Sequence, residues 1–185
     1  MSGEAGERIL VAYYSVTGNT ARVARDIARL TGADLEPLRD PDYGAGFSGY
    51  LKAIVDAVCG RAGRIGPLRH TPREYALTVV GTPIWARHMT PAVRAYLKRC
   101  GADVRNIAFF VTSGSTDASC IVPAMETLAG RKGIAYTGFT ATELADRAVY
   151  EAKLAGFVEA LRASLHFHGT PDRVVLQAPL GGTST

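Results

Sequence analysis

The chain has 185 residues, 47% hydrophobic and 21% charged, with 20 Gly and 9 Pro, values typical of globular domains, so collagen-like, disordered and disulfide-stapled chains are excluded. A net charge of +4 is far below a nucleic-acid footprint, and no nucleic-acid partner is expected. The absence of an apolar run of about 18 residues and of a basic-then-apolar leader predicts no membrane partner and a cytoplasmic location.

Residues 1–7 read as a flexible N-terminus and 8–167 as one domain. The run Ile9 to Tyr14 is rich in apolar and aromatic residues and reads as a strand. Val23, Ile27 and Leu30 then recur at helical spacing. A second strand is expected over Ala33 to Leu38. The stretch from Arg39 to Glu74 is long for one connection, and Phe47, Leu51, Ile54, Val55 and Val58 place a helix inside it. Its remainder carries Arg61, Arg64, Arg69, His70 and Arg73 and reads as a solvated basic loop, with the phosphates of NADPH or an acidic partner as the alternative occupant.

A third strand is expected over Leu77 to Gly81, followed by a loop and a helical stripe of Met89, Val93 and Leu97. A fourth spans Ile107 to Thr112, then a helix carries Ile121, Val122, Met125 and Leu128. A fifth strand, Ile134 to Thr140, precedes the amphipathic helix of Leu154, Phe157, Val158, Leu161 and Leu165. The tail, residues 168–185, holds Pro171, Pro179, Gly181 and Gly182 and reads as mobile or as an extended arm. Strict strand and helix alternation predicts an α/β fold: a single-domain, doubly wound, five-stranded parallel sheet of order 2-1-3-4-5. Its ligand belongs beyond the carboxyl ends of strands 1, 3 and 4.

The first of those ends is Ser15-Val16-Thr17-Gly18-Asn19-Thr20, which runs straight into a helix. Hydroxyl donors at a helix N-terminus suit a phosphate without any cationic side chain. The lysine of a nucleoside-triphosphate loop, the dinucleotide G-x-G-x-x-G and the acidic residues of receiver domains are all missing, which leaves a monophosphorylated ligand. Simple capping by Ser or Thr is the competing explanation. The second end places Trp85, the only tryptophan, where it can stack on a planar ring, although a core tryptophan is the plain alternative. The third, Thr112-Ser113-Gly114-Ser115-Thr116, offers small side chains and backbone amides to a ring edge.

These three loops resemble those of the flavodoxin family, in which S/T-x-T-G-N-T holds the phosphate of FMN and two later loops enclose its isoalloxazine. The resemblance runs from about Ile9 to Leu165. It implies FMN as cofactor, contacted by Ser15, Thr17, Gly18, Asn19 and Thr20, by Thr82, Pro83, Ile84, Trp85 and Ala86, and by Thr112, Ser113, Gly114 and Ser115. No side chain is expected to act as a catalytic acid, base or nucleophile, and no metal is expected; the chemistry would be the flavin's.

Departures from the family pattern concern Ala86, where Gly is common, and Arg87, where an acid is common. Ala resists positive φ by roughly 1 kcal/mol relative to Gly, and Arg87 favours negative charge on reduced flavin; both tilt toward two-electron chemistry. Arg87 and His88 read as exposed loop charges with a flavin or substrate contact as the alternative. Cys120 reads as a small buried hydrophobe, with a place close to the flavin as the alternative, and Cys59, Cys100 and Cys120 as thiols rather than a disulfide framework. His166 and His168 have no metal-spaced companions. The function implied is electron transfer, or reduction of a small acceptor such as a quinone, with a redox protein or NAD(P)H as partner and a homodimer as the family's frequent state. Whether it is an NAD(P)H oxidoreductase stays open, and the alternative is a non-enzymatic flavin-binding or interaction module.

Overall fold

A computed structural model describes residues 8–41, 47–166 and 174–176. Six parallel strands form one sheet: β1 (Ile9–Tyr13), β2 (Asp34–Pro37), β3 (Leu77–Trp85), β5 (Ile107–Ser113), β6 (Ala135–Thr140) and β7 (Val174–Leu176), in the order β2-β1-β3-β5-β6-β7. The two-residue β4 (His88–Met89) pairs antiparallel with the end of β3. The first five parallel strands keep the expected 2-1-3-4-5 order. β7, from the expected tail, adds an edge strand in register Ala135↔Val174; the rest of the tail and residues 1–7 lie outside the described residues.

The two sheet faces follow from strand alternation. Ile107, Phe109 and Val111 face a core shared with Ala53, Tyr96, Leu97 and Met125, from α2 (Phe47–Val58), α3 (Pro91–Cys100) and α4 (Val122–Ala129). Ala108 and Phe110 face the opposite core, with Val23 and Ile27 of α1 (Asn19–Thr31) and Leu154, Phe157 and Leu161 of α6 (Arg147–His166). Both faces are therefore buried, as near-continuous apolar strands require. At Gly81 of β3, a Cβ would sit 2.0 Å from the Phe110 ring, so only glycine lets that ring cross the sheet centre.

Two expectations are corrected. Strand β3 runs four residues past Gly81, to Trp85, because Thr82 and Pro83 continue the ladder with Val111 and Thr112 of β5. Pro83 is tolerated because its missing N–H lies on the side where β1 has ended; the last pair there is Tyr13↔Gly81. Met89 is not on the helical stripe: Pro91 opens α3, and Met89 is held one step earlier by β4.

A short helix, α5 (Ala141–Ala145), starts on a capping box between Thr140 and Glu143. Burial pushes the Glu143 carboxyl up, but Lys153, bonded at 2.7 Å, and the Thr140 N–H outweigh it, leaving its pKa below the ordinary value. A depressed carboxyl stabilises the fold above its unfolded pKa and loses that contribution as pH falls through the folded one. Glu143→Gln is thus expected to lower the melting temperature at pH 7 and to matter progressively less below about pH 4; melts at stepped pH check this, and a pH-independent difference would contradict it.

Candidate functional site

The carboxyl ends of β1, β3 and β5 lie side by side through the pairs Tyr13↔Gly81 and Pro83↔Thr112, which brings the three loops together. The first and third are joined directly: the buried hydroxyls of Thr20 and Thr112 are 2.8 Å apart. Both are thus held structurally, and their hydroxyls brace the loops.

In the first loop Gly18 has φ 94 and is the N-cap of α1, which has no side-chain cap. The first helical bond is Arg22 N–H to the Gly18 carbonyl at 2.8 Å, so the N–H groups of Asn19, Thr20 and Ala21 have no acceptor within the helix. The Ser15 hydroxyl is buried and, among the described residues, has no hydrogen-bond partner. A buried hydroxyl left unsatisfied costs about 1–3 kcal/mol, and beside an uncapped helix N-terminus it marks a place for an acceptor. Thr17, Gly18 and Asn19 are exposed around it. Capping, the competing explanation for these hydroxyls, is not what they do.

The second loop is a two-residue hairpin turn, Ala86 at φ 45 and Arg87 at φ 66, between the pair Trp85↔His88. Both positive φ values define the turn type that favours Asn-Gly. The cost of a left-handed Ala86 is therefore carried by the resting fold, which corrects the expectation that Ala86 would resist it. Replacing Ala86 by Asn and Arg87 by Gly is expected to stabilise the protein by about 1–2 kcal/mol; urea unfolding measures it, and no gain would mean the turn is unstrained.

The Thr82 hydroxyl is buried against Thr90 (3.1 Å) and also donates to the Pro83 carbonyl, while Pro83 and Ile84 are half-buried and Ala86 is exposed. Trp85 is 7% exposed and packs into the core on the α3 side, edge-on to Tyr14 with ring centroids 6.0 Å apart. Tyr14 was missed from sequence; it lies one residue past β1, and burial first, then Asp40, raises its pKa. Thr90, the partner of Thr82, was also missed, because nothing in the sequence announced the hairpin that returns it.

In the third loop the Ser113 hydroxyl donates to the Thr116 carbonyl at 2.6 Å, and Gly114 and Ser115 are exposed. The Gly114 carbonyl accepts from Ala141 N–H, tying the loop to α5. Burial pushes the Cys120 thiol up, and Arg87 pulls it back only in part. Cys120 is half-buried. His166 ends α6, and His168 lies outside the described residues. Among the described residues no cluster of three His, Cys, Asp or Glu side chains could hold a metal, and no helix is long and apolar enough to cross a membrane.

No family model and no curated protein matches the chain. Solved structures do. A flavoprotein from Lactobacillus acidophilus, in complex with FMN, superposes with a TM-score of 0.63 at 20% identity over 75% of this chain and 97% of its own. The apo form of the flavoprotein from that organism gives 0.56 at 17%, over 76% and 96%. A protein from Bacteroides eggerthii gives 0.62 at 20%, over 81% and 97%. The chain has a flavodoxin-like fold. In this flavodoxin-like chain the carboxyl ends of β1 and β3 flank the reversal of strand order, the place where doubly wound sheets bind ligands.

Proposed function

We propose that this chain binds FMN and works as a redox protein, transferring electrons or reducing a small acceptor such as a quinone. The observation that carries the reading is the buried, partnerless Ser15 hydroxyl beside the uncapped N-terminus of α1. The FMN complex of the Lactobacillus acidophilus neighbour supports the same assignment. Bound there, FMN would supply the redox chemistry.

The chain's residues would bind and orient. Ser15, Thr17 and the amides of Asn19 and Thr20 would hold the phosphate, with Gly18 giving the turn its left-handed step. The Ala86–Arg87 hairpin and the amides of Ser113 to Ser115 would border the ring, Trp85 supporting that wall from beneath. Arg87, exposed at the hairpin tip, would favour negative charge nearby. The Ala86 part of the two-electron argument falls away, and Arg87 alone still tilts in that direction.

Anaerobic mixing of the FMN-loaded protein with NADPH or NADH, then with a benzoquinone, tests this. Bleaching by a nicotinamide and recovery on adding quinone would identify a reductase. Inertness to both nicotinamides, with reduction by dithionite and reoxidation by quinone, would identify a carrier fed by another protein. A chain that retains no FMN would be an interaction module.

A further inference from the structure

A cavity of about 260 Å³ lies on the outer edge of β2, where the segment of residues 65–69 runs beside the strand. That segment runs antiparallel to β2 without completing a ladder. The Gly66 N–H donates to the Arg39 carbonyl at 3.2 Å. Three residues along, the two backbones are spaced by a side chain instead: the Glu36 carboxylate accepts the N–H groups of Arg69 and His70 at 2.8 and 2.9 Å. Between these fixed points the edge cannot zip up, because Pro37 on the strand and Pro67 on the covering segment both lack a backbone N–H.

The gap that remains is walled by Pro37, Leu38, Ile65, Pro67 and Leu68, and flanked by Arg39 and Arg69. Both arginines are exposed, and among the described residues no ion pair involves either. Arg99 reaches the same segment, donating to the Gly66 carbonyl at 3.4 Å. The only carboxylate in the wall, Glu36, is 2% exposed and already takes two N–H donors.

We propose that this cavity is a second ligand site, which takes a compact amphipathic anion: an apolar or aromatic body between the prolines and leucines, with a carboxylate at the arginines. The volume is that of about nine water molecules, which suits a body of one ring rather than a nucleotide. An apolar wall with a few convergent polar groups is the usual construction of small-molecule sites, and two guanidiniums give the planar donors that a carboxylate matches.

Amide shifts of the full chain, titrated with sodium benzoate and with its neutral isostere benzamide, test the proposal. Benzoate is expected to move the amides of Leu38, Gly66, Leu68 and Arg69 and to bind about tenfold more tightly than benzamide. Arg39→Gln with Arg69→Gln should erase that preference, and Leu68→Trp should fill the gap and abolish binding of both. If Leu68→Trp does not fold, the arginine variant and the isostere comparison still decide. Equal binding of benzoate and benzamide, no shifts up to about 20 mM benzoate, or shifts centred on Gly18 and Gly114 instead, would overturn it.

Discussion

FMN is expected to bind at least about a hundredfold more tightly than riboflavin, because the proposed phosphate site combines the buried Ser15 hydroxyl with the uncapped N-terminus of α1. Each hydrogen bond to a charged group contributes about 1.5–3 kcal/mol, and the Ser15 hydroxyl, the Thr17 side chain and the α1 amides would supply several. Removing the phosphate returns Ser15 to its buried, partnerless state. Ser15→Ala gives the sharper test, because it should act in opposite directions. The apo protein should gain about 1 kcal/mol as the unsatisfied hydroxyl disappears, while FMN affinity should fall about tenfold or more. Fluorescence titration with both flavins and urea unfolding of the apo variant measure these. Equal affinity for FMN and riboflavin, or a Ser15→Ala variant weaker in both respects, would remove the phosphate assignment.

Trp85→Ala is expected to destabilise the apo protein by about 3–5 kcal/mol, the range for emptying a large aromatic site. Trp85 is buried against Tyr14 and clusters with Met89, Leu38 and Tyr96, so its loss would open a cavity beneath the hairpin and slacken the turn at Ala86 and Arg87. Trp85→Phe should recover most of the loss, since the ring still fills the site. Chemical unfolding of the apo chain decides. A cost below about 1 kcal/mol would mean that the indole does not support the hairpin.

The sheet order was legible because strands buried on both faces cannot hide: Ile9 to Ala12 and Ala108 to Val111 are apolar on consecutive residues, and helical spacing intervenes every time. The strand-to-helix turn of residues 15–20 was legible for a similar reason, since a glycine and hydroxyls mark the point where an apolar strand gives way to helical spacing. The hairpin was not. Its turn holds Ala86 and Arg87 where Asn and Gly are the usual signal, and Pro83 argues against a strand until the end of β1 is known. Misplacing Met89 on the next helix followed from the same gap.

Exposure was the other quantity hidden from sequence. Thr20, Thr82 and Thr112 all sit at the expected positions, yet all three are buried and their hydroxyls bond to one another or to Thr90. Such pairs join residues 92 and 8 positions apart, and only the folded chain reveals them. The capping box of Thr140 and Glu143 was readable from its T-x-x-E spacing but lay in the shadow of the stronger pattern of α6. The segment that covers β2 was read as solvated charge, whereas its backbone is what Glu36 holds.

Amide chemical shifts of the full-length chain, recorded as FMN is added, test the central claim most directly. The account predicts saturable binding of one FMN, with the largest shifts at Gly18, Asn19 and Thr20, and further shifts at Arg87 and Gly114. Absence of binding, or shifts centred on the edge of β2 with Gly18 unmoved, would contradict it.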